Sequence, residues 1–311
     1  MGTVLPQGRL AVGMQLPIQS KSTNFVEPWE EHAGAAELAA VAQAADRAGF
    51  FYVGVCDHIA IPSEKAEVMS TEWWDTIATL GWLAGITTDV RLLSHIYVPA
   101  YRHPLQVAKS FATVDAISGG RVIMGVGAGH VEAEFELLGL PFADRGTLLD
   151  ESIDAVRAAF AEDYPTLPGP VWQAADLGQH PRPIQEDGPP IWVGGSSPAA
   201  LRRAAQRGDG WLPQGPVTPD IIEHIKALRD EAGRHDAFDF GALMGAVHVG
   251  EADWDFGEPT LSGPPEKIAH VLRKFQAMGV GQVQVRLRSR SLDELLDQIG
   301  RFGADVIPHL G

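Results

Sequence analysis

The sequence contains little cysteine and few basic residues. Cys56 is the only cysteine among the 311 residues, which excludes an intrachain disulfide and a cluster of thiolate metal ligands. Lysine and arginine together number 24 against 40 aspartate and glutamate residues, and the formal net charge is −16 at pH 7. No run of basic residues occurs, so neither nucleic acid nor an anionic membrane surface is an expected partner.

Long apolar stretches are also absent. No segment of about 18 consecutive apolar residues occurs, so no membrane-spanning helix is expected. Residues 1–18 show no basic region followed by a long apolar run, and they do not resemble a signal peptide. Together with the single cysteine, these absences predict a cytoplasmic protein.

The chain instead alternates between short apolar segments and segments with helical periodicity. Eight apolar segments are predicted as strands, each followed by a helix: residues 9–16, 51–57, 90–99, 121–126, 189–195, 209–213, 241–250 and 280–287. Because these segments are apolar along their length, they indicate a parallel sheet covered on both faces. The pattern predicts a single domain, residues 1–311, folded as a closed (β/α)8 (TIM) barrel. An open doubly wound sheet is the alternative, but it would carry glycines after the first strand, where this sequence has none.

A long connection precedes the fifth predicted strand. Residues 162–189 are rich in proline and show little periodicity. Loops of this length inside a compact domain are usually lids or disordered segments. We therefore expect either a stiffened excursion beside the barrel mouth, able to form one wall of a cofactor groove, or a surface insertion.

Polar or glycine-rich groups follow several predicted strands, and the carboxyl ends of barrel strands meet at one mouth. They are Asp57-His58 after the second strand, His95 in the third, Gly127-Ala128-Gly129-His130 after the fourth, Gly194-Gly195-Ser196-Ser197 after the fifth, and Arg286 and Arg288 on the eighth. His58 is the predicted general acid or base, and His130 is the second candidate. A hydrogen-bonded structural histidine is the alternative at either position. The first strand has no His-x-His pair, and no metal site is predicted.

Two glycine-rich turns differ in their expected roles. Gly194-Gly195 and the serines after them precede Pro198 at the start of a helix, where free N–H groups bind phosphate. An ordinary capped turn is the alternative. The turn at 127–129 is followed by acidic residues that would repel a phosphate. Its glycines are therefore expected to let a planar ring approach the backbone beside His130.

Long segments of the chain resemble one known family. Residues 115–160 ("DAISGGRVIMGVGAGHVEAEFELLGL…") and 189–213 ("PPIWVGGSSPAALRRAAQRGDGWLP") look like two signatures of the luciferase-like monooxygenase superfamily. Cys56-Asp57-His58 and residues 101–121 agree with it. Within this superfamily the chain is most similar to the coenzyme F420-dependent oxidoreductases. The resemblance implies a barrel with an insertion, a flavin or deazaflavin in its mouth, and a homodimer.

The resemblance also implies roles for individual residues. Asp57 and His58 would lie at the redox ring of the cofactor, with Asp57 holding His58 or contacting the polar edge of the ring. A cis peptide bond between His95 and Ile96 would back the ring. The cofactor phosphate would sit at residues 194–197, with Arg202 and Arg203 as candidate helpers.

Departures from the family pattern narrow the expected chemistry. His130 stands where sugar-phosphate and alcohol dehydrogenases of this group carry Glu, and Pro62 stands where a tryptophan is usual, so those substrates are not implied. Ala128 replaces an arginine common in FMN-using members, which favours the deazaflavin. We expect an oxidoreductase that transfers a hydride between coenzyme F420 and a small organic substrate. An FMN monooxygenase using molecular oxygen and a non-catalytic flavin-binding protein are the alternatives.

The two arginines of the eighth strand, Arg286 and Arg288, share a face because side chains alternate along a strand. If that face is inward, they would bind an anionic group of the substrate. If it is outward, they would contact helices.

Overall fold

The computed structural model describes residues 3–23 and 25–311. The helices that surround the sheet or cap its loops are α1 (Ala35–Arg47), α2 (Ala66–Met69), α3 (Thr76–Ile86), α4 (Pro104–Ser118), α5 (Glu132–Leu137), α6 (Arg145–Ala161), α7 (Pro198–Arg207), α8 (Pro219–Glu231), α9 (Pro265–Ala277) and α10 (Leu292–Arg301). No helix in this described part of the chain is long and apolar enough to cross a membrane.

Eight parallel strands close into a barrel, which confirms the predicted TIM fold. In the order of their hydrogen bonding they are β11 (Gln282–Leu287), β1 (Ala11–Gln15), β2 (Tyr52–Val55), β3 (Arg91–Ser94), β4 (Val122–Val126), β7 (Ile191–Gly194), β8 (Gly210–Leu212) and β9 (Asp239–Val249), with β9 pairing back to β11. All eight lie within the segments predicted as strands, or within two residues of them.

One further strand joins this sheet outside the barrel. β10 (Thr260–Gly263) pairs in parallel with the carboxyl half of β9, while the amino half of β9 pairs with β8. This strand was not predicted, because four partly exposed residues give no usable alternation. It exists because β9 is long enough to extend beyond β8 and leaves an edge to be paired.

The barrel interior is filled rather than open. Tyr52, Leu93, Ile123, Trp192 and Leu212 form a buried cluster inside the barrel, and the larger core lies between strands and helices. The Tyr52 hydroxyl donates to Gln282 Oε1 at 2.8 Å. A Cβ at Gly13 would lie 2.3 Å from the Tyr52 ring, so this position of β1 requires glycine. The packed floor confines any ligand to the mouth.

The insertion at 162–189 lies along the side of the barrel. It contains a small antiparallel pair, β5 (Leu167–Pro168) and β6 (Gln173–Ala174). Asp115 on α4 accepts hydrogen bonds from the backbone N–H groups of Ile184 and Gln185 at 2.8 and 3.0 Å, and Lys109 donates to the carbonyl of His180 at 2.8 Å. No residue of the insertion, all of which is described, lines the cavities at the barrel mouth. The contacts with α4 are those of a surface insertion packed on the barrel, and a role of this segment in a groove for the cofactor stays a prediction.

Candidate active site

A cavity of about 750 Å³ lies at the carboxyl ends of the barrel strands. This volume falls within the usual range of about 300–1,000 Å³ for small-molecule sites. Most of the predicted site residues line it: Asp57, His58, His95, Ile96, Gly127, Ala128, Gly129, His130, Gly194, Gly195, Ser196 and Ser197. The fold thus brings together groups from four strand ends, as the barrel geometry requires.

His58 is held by a residue that the sequence analysis missed. Its Nδ1 lies 3.0 Å from Oε2 of Glu134 on α5, a carboxylate that is buried beneath the loop after β2. The same Glu134 oxygen accepts from the Tyr101 hydroxyl at 2.9 Å, and the other accepts from the N–H groups of Ile59 and Ala60. Glu134 therefore fixes both the His58 ring and the loop that carries it.

The protonation of this pair follows from the same contacts. Burial alone would raise the pKa of Glu134, but the hydrogen bond and charge of His58, together with the N–H of Ile59 and the hydroxyl of Tyr101, outweigh it and lower the pKa. An ionised carboxylate only accepts hydrogen bonds, so Nδ1 of His58 carries the hydrogen. Nε2 is then the atom of His58 that is free to exchange a proton.

His130 lies beside His58. The two ring centroids are 5.5 Å apart in an edge-to-face arrangement, and Trp73 packs on the other side of His58 at 4.4 Å. Burial, followed by repulsion from a protonated His58, lowers the pKa of His130. His130 therefore stays neutral at pH 7 and is able to accept a hydrogen bond or a proton.

Asp57 lines the cavity but does not hold His58, so of its two expected roles only contact with the polar edge of a ring stays a prediction. Its carboxylate forms a two-pronged ion pair with Arg102, at 2.6 and 2.9 Å, and accepts from the backbone N–H of Val98 at 3.0 Å. Thr76 donates to it at 3.2 Å. The hypothesis that Asp57 holds His58 is wrong, because Glu134 occupies that position and both oxygens of Asp57 are engaged elsewhere. Asp57 instead ties the loop after β3 to the end of β2.

The bond between His95 and Ile96 is cis, as the family resemblance implied. Burial lowers the pKa of His95 to about 4, so its ring is neutral, and its Nδ1 is buried with no hydrogen-bond partner among the residues that the structure describes. A Cβ at Gly127 would lie 2.7 Å from Ile96 and one at Gly194 would lie 2.8 Å from it. These glycines therefore make room for the side chain of Ile96, which lines the cavity and which we call the apolar shelf.

The opposite end of the cavity suits a phosphate. Ser197 caps α7 by accepting from the N–H of Ala200 at 3.2 Å, and Ser196 Oγ accepts from the N–H of Gln214 at 2.9 Å. Both hydroxyl hydrogens stay free to donate, and first-turn N–H groups have no intrahelical partner. Arg203 also lines this end but is paired with Asp150 at 2.6 Å, while Arg202 is exposed and does not line it.

A cation that the sequence analysis missed lies at the same end. Arg145, at the start of α6, lines the cavity and stacks on Phe142 at 4.1 Å. Within residues 3–23 and 25–311 it forms no ion pair, and its recorded hydrogen bond goes to the carbonyl of Phe142 at 2.9 Å. Its positive charge is therefore available to an anion at this end of the cavity.

Arg286 lines a cavity beside the first one, whereas Arg288 lies just beyond the end of β11 and lines neither cavity, and both have carboxylate partners within the protein. Arg288 donates to Glu27 and to Glu258, the latter at 2.6 Å. Arg286 contacts the same two glutamates at 3.3 and 3.0 Å. These pairs replace the expected contact with an anionic substrate group. No cluster of three or more potential metal ligands occurs among the described residues.

Comparison with known proteins agrees with this architecture. The family model described as luciferase-like monooxygenase matches residues 14–259. An F420-dependent hydroxymycolic acid dehydrogenase from Mycobacterium tuberculosis is 32% identical over 203 residues, which is 63% of this chain and 54% of that protein.

Two solved structures share the fold. A monooxygenase from Streptomyces bottropensis superimposes with a TM-score of 0.77 at 20% identity, over 97% of this chain and 100% of that one. An F420-dependent secondary alcohol dehydrogenase superimposes with a TM-score of 0.76 at 18% identity, over 97% of this chain and 99% of that one. The family match covers most of the barrel, including the ends of β2, β3, β4 and β7. The chain therefore belongs to the luciferase-like monooxygenase family and is an oxidoreductase.

Proposed function

We propose that this protein transfers a hydride between coenzyme F420 and a small organic substrate. The observation that carries the proposal is the mouth cavity, where the His58–Glu134 pair and neutral His130 lie beside an apolar shelf and a phosphate-binding end. The dehydrogenase relative and the alcohol dehydrogenase structure, both named as F420-dependent, support this choice of cofactor.

The residues present fit such a cofactor. Ile96 offers an apolar surface for the ring, and the unpartnered Nδ1 of His95 offers a hydrogen bond to a polar edge. Ser196, Ser197 and Arg145 would hold the phosphate. When bound, the deazaflavin supplies the two-electron hydride chemistry, and the protein supplies orientation, exclusion of water and proton management.

The chain's own residues manage the proton that accompanies the hydride. Nε2 of His58 gives or takes this proton, because Nδ1 is engaged with Glu134. The negative charge of Glu134 stabilises the imidazolium form while the proton is held. Neutral His130 packs against His58 and limits its movement, and it is the second proton acceptor of the site.

An FMN-dependent monooxygenase is the second candidate, favoured by the structural likeness to a monooxygenase and by Arg145, which suits a terminal phosphate as well. A non-catalytic flavin-binding protein is the third. Isothermal titration separates the cofactors: F420 is expected to bind at least about tenfold more tightly than FMN, a difference of about 1.4 kcal/mol. Equal or tighter binding of FMN would refute the F420 assignment. Turnover of a redox dye as electron acceptor then separates an enzyme from a binding protein.

We further propose a cytoplasmic homodimer, as the family resemblance implies. Leu137 and Leu138, at the end of α5, are 63% and 38% exposed and are suited to burial against a second copy. Sedimentation at micromolar concentration tests this, and a monomer throughout would contradict it.

A further inference from the structure

A second cavity, of about 330 Å³, lies beside the first. The two share four wall residues, which are Gln15, Phe25, Leu243 and Gln284. We call the second cavity the side chamber. Its remaining wall combines apolar residues, from β1, β9, β11 and the neighbouring loops, with six polar or charged residues, which are Ser20, Glu27, Glu30, Glu258, Arg286 and Ser289. A ligand in the side chamber would therefore lie next to one in the mouth cavity.

The side chamber owes its space to an irregularity in β9. Gln284 of β11 pairs with Leu243, but Arg286, two residues later, pairs with Ala246, so Met244 and Gly245 together stand opposite the single residue Val285 and β9 contains one extra residue. Such a bulge locally separates the strands and changes the direction of side chains, and bulges are common beside active sites. Met244 and Gly245 both line the chamber and are partly or fully exposed there.

The wall of the chamber carries no excess of positive charge. Arg286 and Arg288 face Glu27 and Glu258, two positive groups against two negative ones. Glu30 also lines the chamber and adds a third carboxyl group, which is either neutral or negatively charged. An anionic ligand would meet three carboxyl groups in this wall, and displacing Glu27 from Arg288 would leave a buried charge unpaired, which is strongly unfavourable. The chamber therefore selects against anions.

Two buried polar atoms in the chamber wall lack partners among the described residues. They are Oε1 of Gln284 and Nε of Arg286, which are two positions apart on β11 and so face the same side. Leaving such atoms unpaired is costly, and this identifies a place where a ligand forms hydrogen bonds. A hydroxyl group can donate to the first or accept from the second. The terminal amide of Gln284 can also turn to donate to a carbonyl oxygen.

We infer that the side chamber binds the substrate of the proposed reaction, and that this substrate is an uncharged, mainly apolar molecule whose single oxygen group lies at Gln284. The identification of this ligand as the substrate rests on the proposed function, whereas the binding preference of the chamber does not. Phe25 lies on the shared wall and is 56% exposed, and a ligand that fills the chamber would cover part of its ring.

The test compares two probes of similar shape, cyclohexanol and cyclohexanecarboxylate, by ligand-observed NMR titration of the full chain. Cyclohexanol is expected to bind at least about tenfold more tightly. Gln284→Leu is expected to weaken cyclohexanol about fivefold by removing its hydrogen bond. Met244→Trp, which fills the chamber, is expected to abolish the preference.

Glu258→Gln gives an opposite and independent result. The side chain of Glu258 is 41% exposed, so this variant is compatible with the fold, and it releases the contact with Arg286. Binding of cyclohexanecarboxylate is expected to strengthen about fivefold in Glu258→Gln. Glu223→Gln, which breaks a surface pair with Lys226 on α8, is the matched control and should change neither probe.

Two results would overturn the inference: tighter binding of the carboxylate by the unmodified chain, or an unchanged ratio of the two affinities in both Gln284→Leu and Glu258→Gln. A parallel titration with F420 separates the two proposals. If F420 fails to bind while the preference for cyclohexanol holds, the proposed function fails and the chamber assignment stands. If F420 binds and the preference for cyclohexanol is absent, the chamber assignment fails and the proposed function stands.

Discussion

Glu134→Gln isolates the contribution of the carboxylate behind His58. Glu134 is 1% exposed and receives four hydrogen bonds, from His58, Tyr101 and the N–H groups of Ile59 and Ala60. Glutamine has nearly the same shape and keeps one acceptor oxygen. It loses the negative charge, and its NH2 group donates where the carboxylate accepted. Nδ1 of His58 must then become an acceptor, and Nε2 carries the hydrogen.

The expected loss follows from these contacts. A hydrogen bond to a charged group contributes about 1.5–3 kcal/mol, so losing its support for the imidazolium form slows the step about 10–150-fold. The change acts on proton exchange and not on the cofactor shelf or the phosphate end. We therefore expect kcat to fall by about 100-fold, while F420 affinity changes by less than about threefold.

The assay is stopped-flow reduction or oxidation of bound F420, followed across pH, with F420 affinity measured by titration. The neighbouring exposed Glu136→Gln, in the same helix, is the control and should leave kcat unchanged. An unchanged kcat with a folded protein would refute the reasoning, and His130 would become the proton-exchanging residue.

Three further predictions address cofactor binding, packing and pH. Arg145→Gln should weaken F420 binding about tenfold or more with little effect on kcat, whereas exposed Arg202→Gln should not, as measured by calorimetry. Gly127→Ala places a Cβ 2.7 Å from the neighbouring isoleucine and should lower the free energy of unfolding by about 1–3 kcal/mol, whereas Gly81→Ala, in open helix, should raise it by up to about 1 kcal/mol in urea titrations. Burial raises the pKa of Asp239 from 3.8 to about 6, so the folded chain binds more protons than the unfolded chain in that window, and stability falls by about 3 kcal/mol as pH rises through it. Asp239→Asn should lack this component of the pH dependence, and parallel pH curves for the two proteins would contradict it.

The sequence predicts the barrel, and it predicts which residues line the cavity at its mouth, because both depend on local sequence pattern. Short apolar strands separated by helices determine the topology, and topology alone brings the ends of β2, β3, β4 and β7 to one cavity. The partners of these residues are less predictable. Asp57 pairs with Arg102, which lies 45 positions away in a loop, and no periodicity links such positions.

Glu134 shows why a buried acid escapes detection. It lies between Glu132 and Glu136 in a stretch that is typical of a solvated helix face, and those two neighbours are indeed exposed. The available signal was its neighbour Phe135, an aromatic residue in a very short helix, which required one side of α5 to be buried. The side chamber gave no signal at all, because it depends on a bulge between strands distant in sequence.

The single carboxylate of Glu134 anchors both an imidazole and the backbone after β2. A change in the charge of His58 therefore alters how strongly that backbone is tethered, and release of the backbone alters in turn how readily His58 takes a proton. By thermodynamic reciprocity the two effects are equal in size. Protonation of His58 and release of the backbone at residues 59 and 60 from Glu134 are thus linked equilibria. Amide hydrogen exchange at residues 59 and 60 will report the protonation state of a side chain that it does not measure directly.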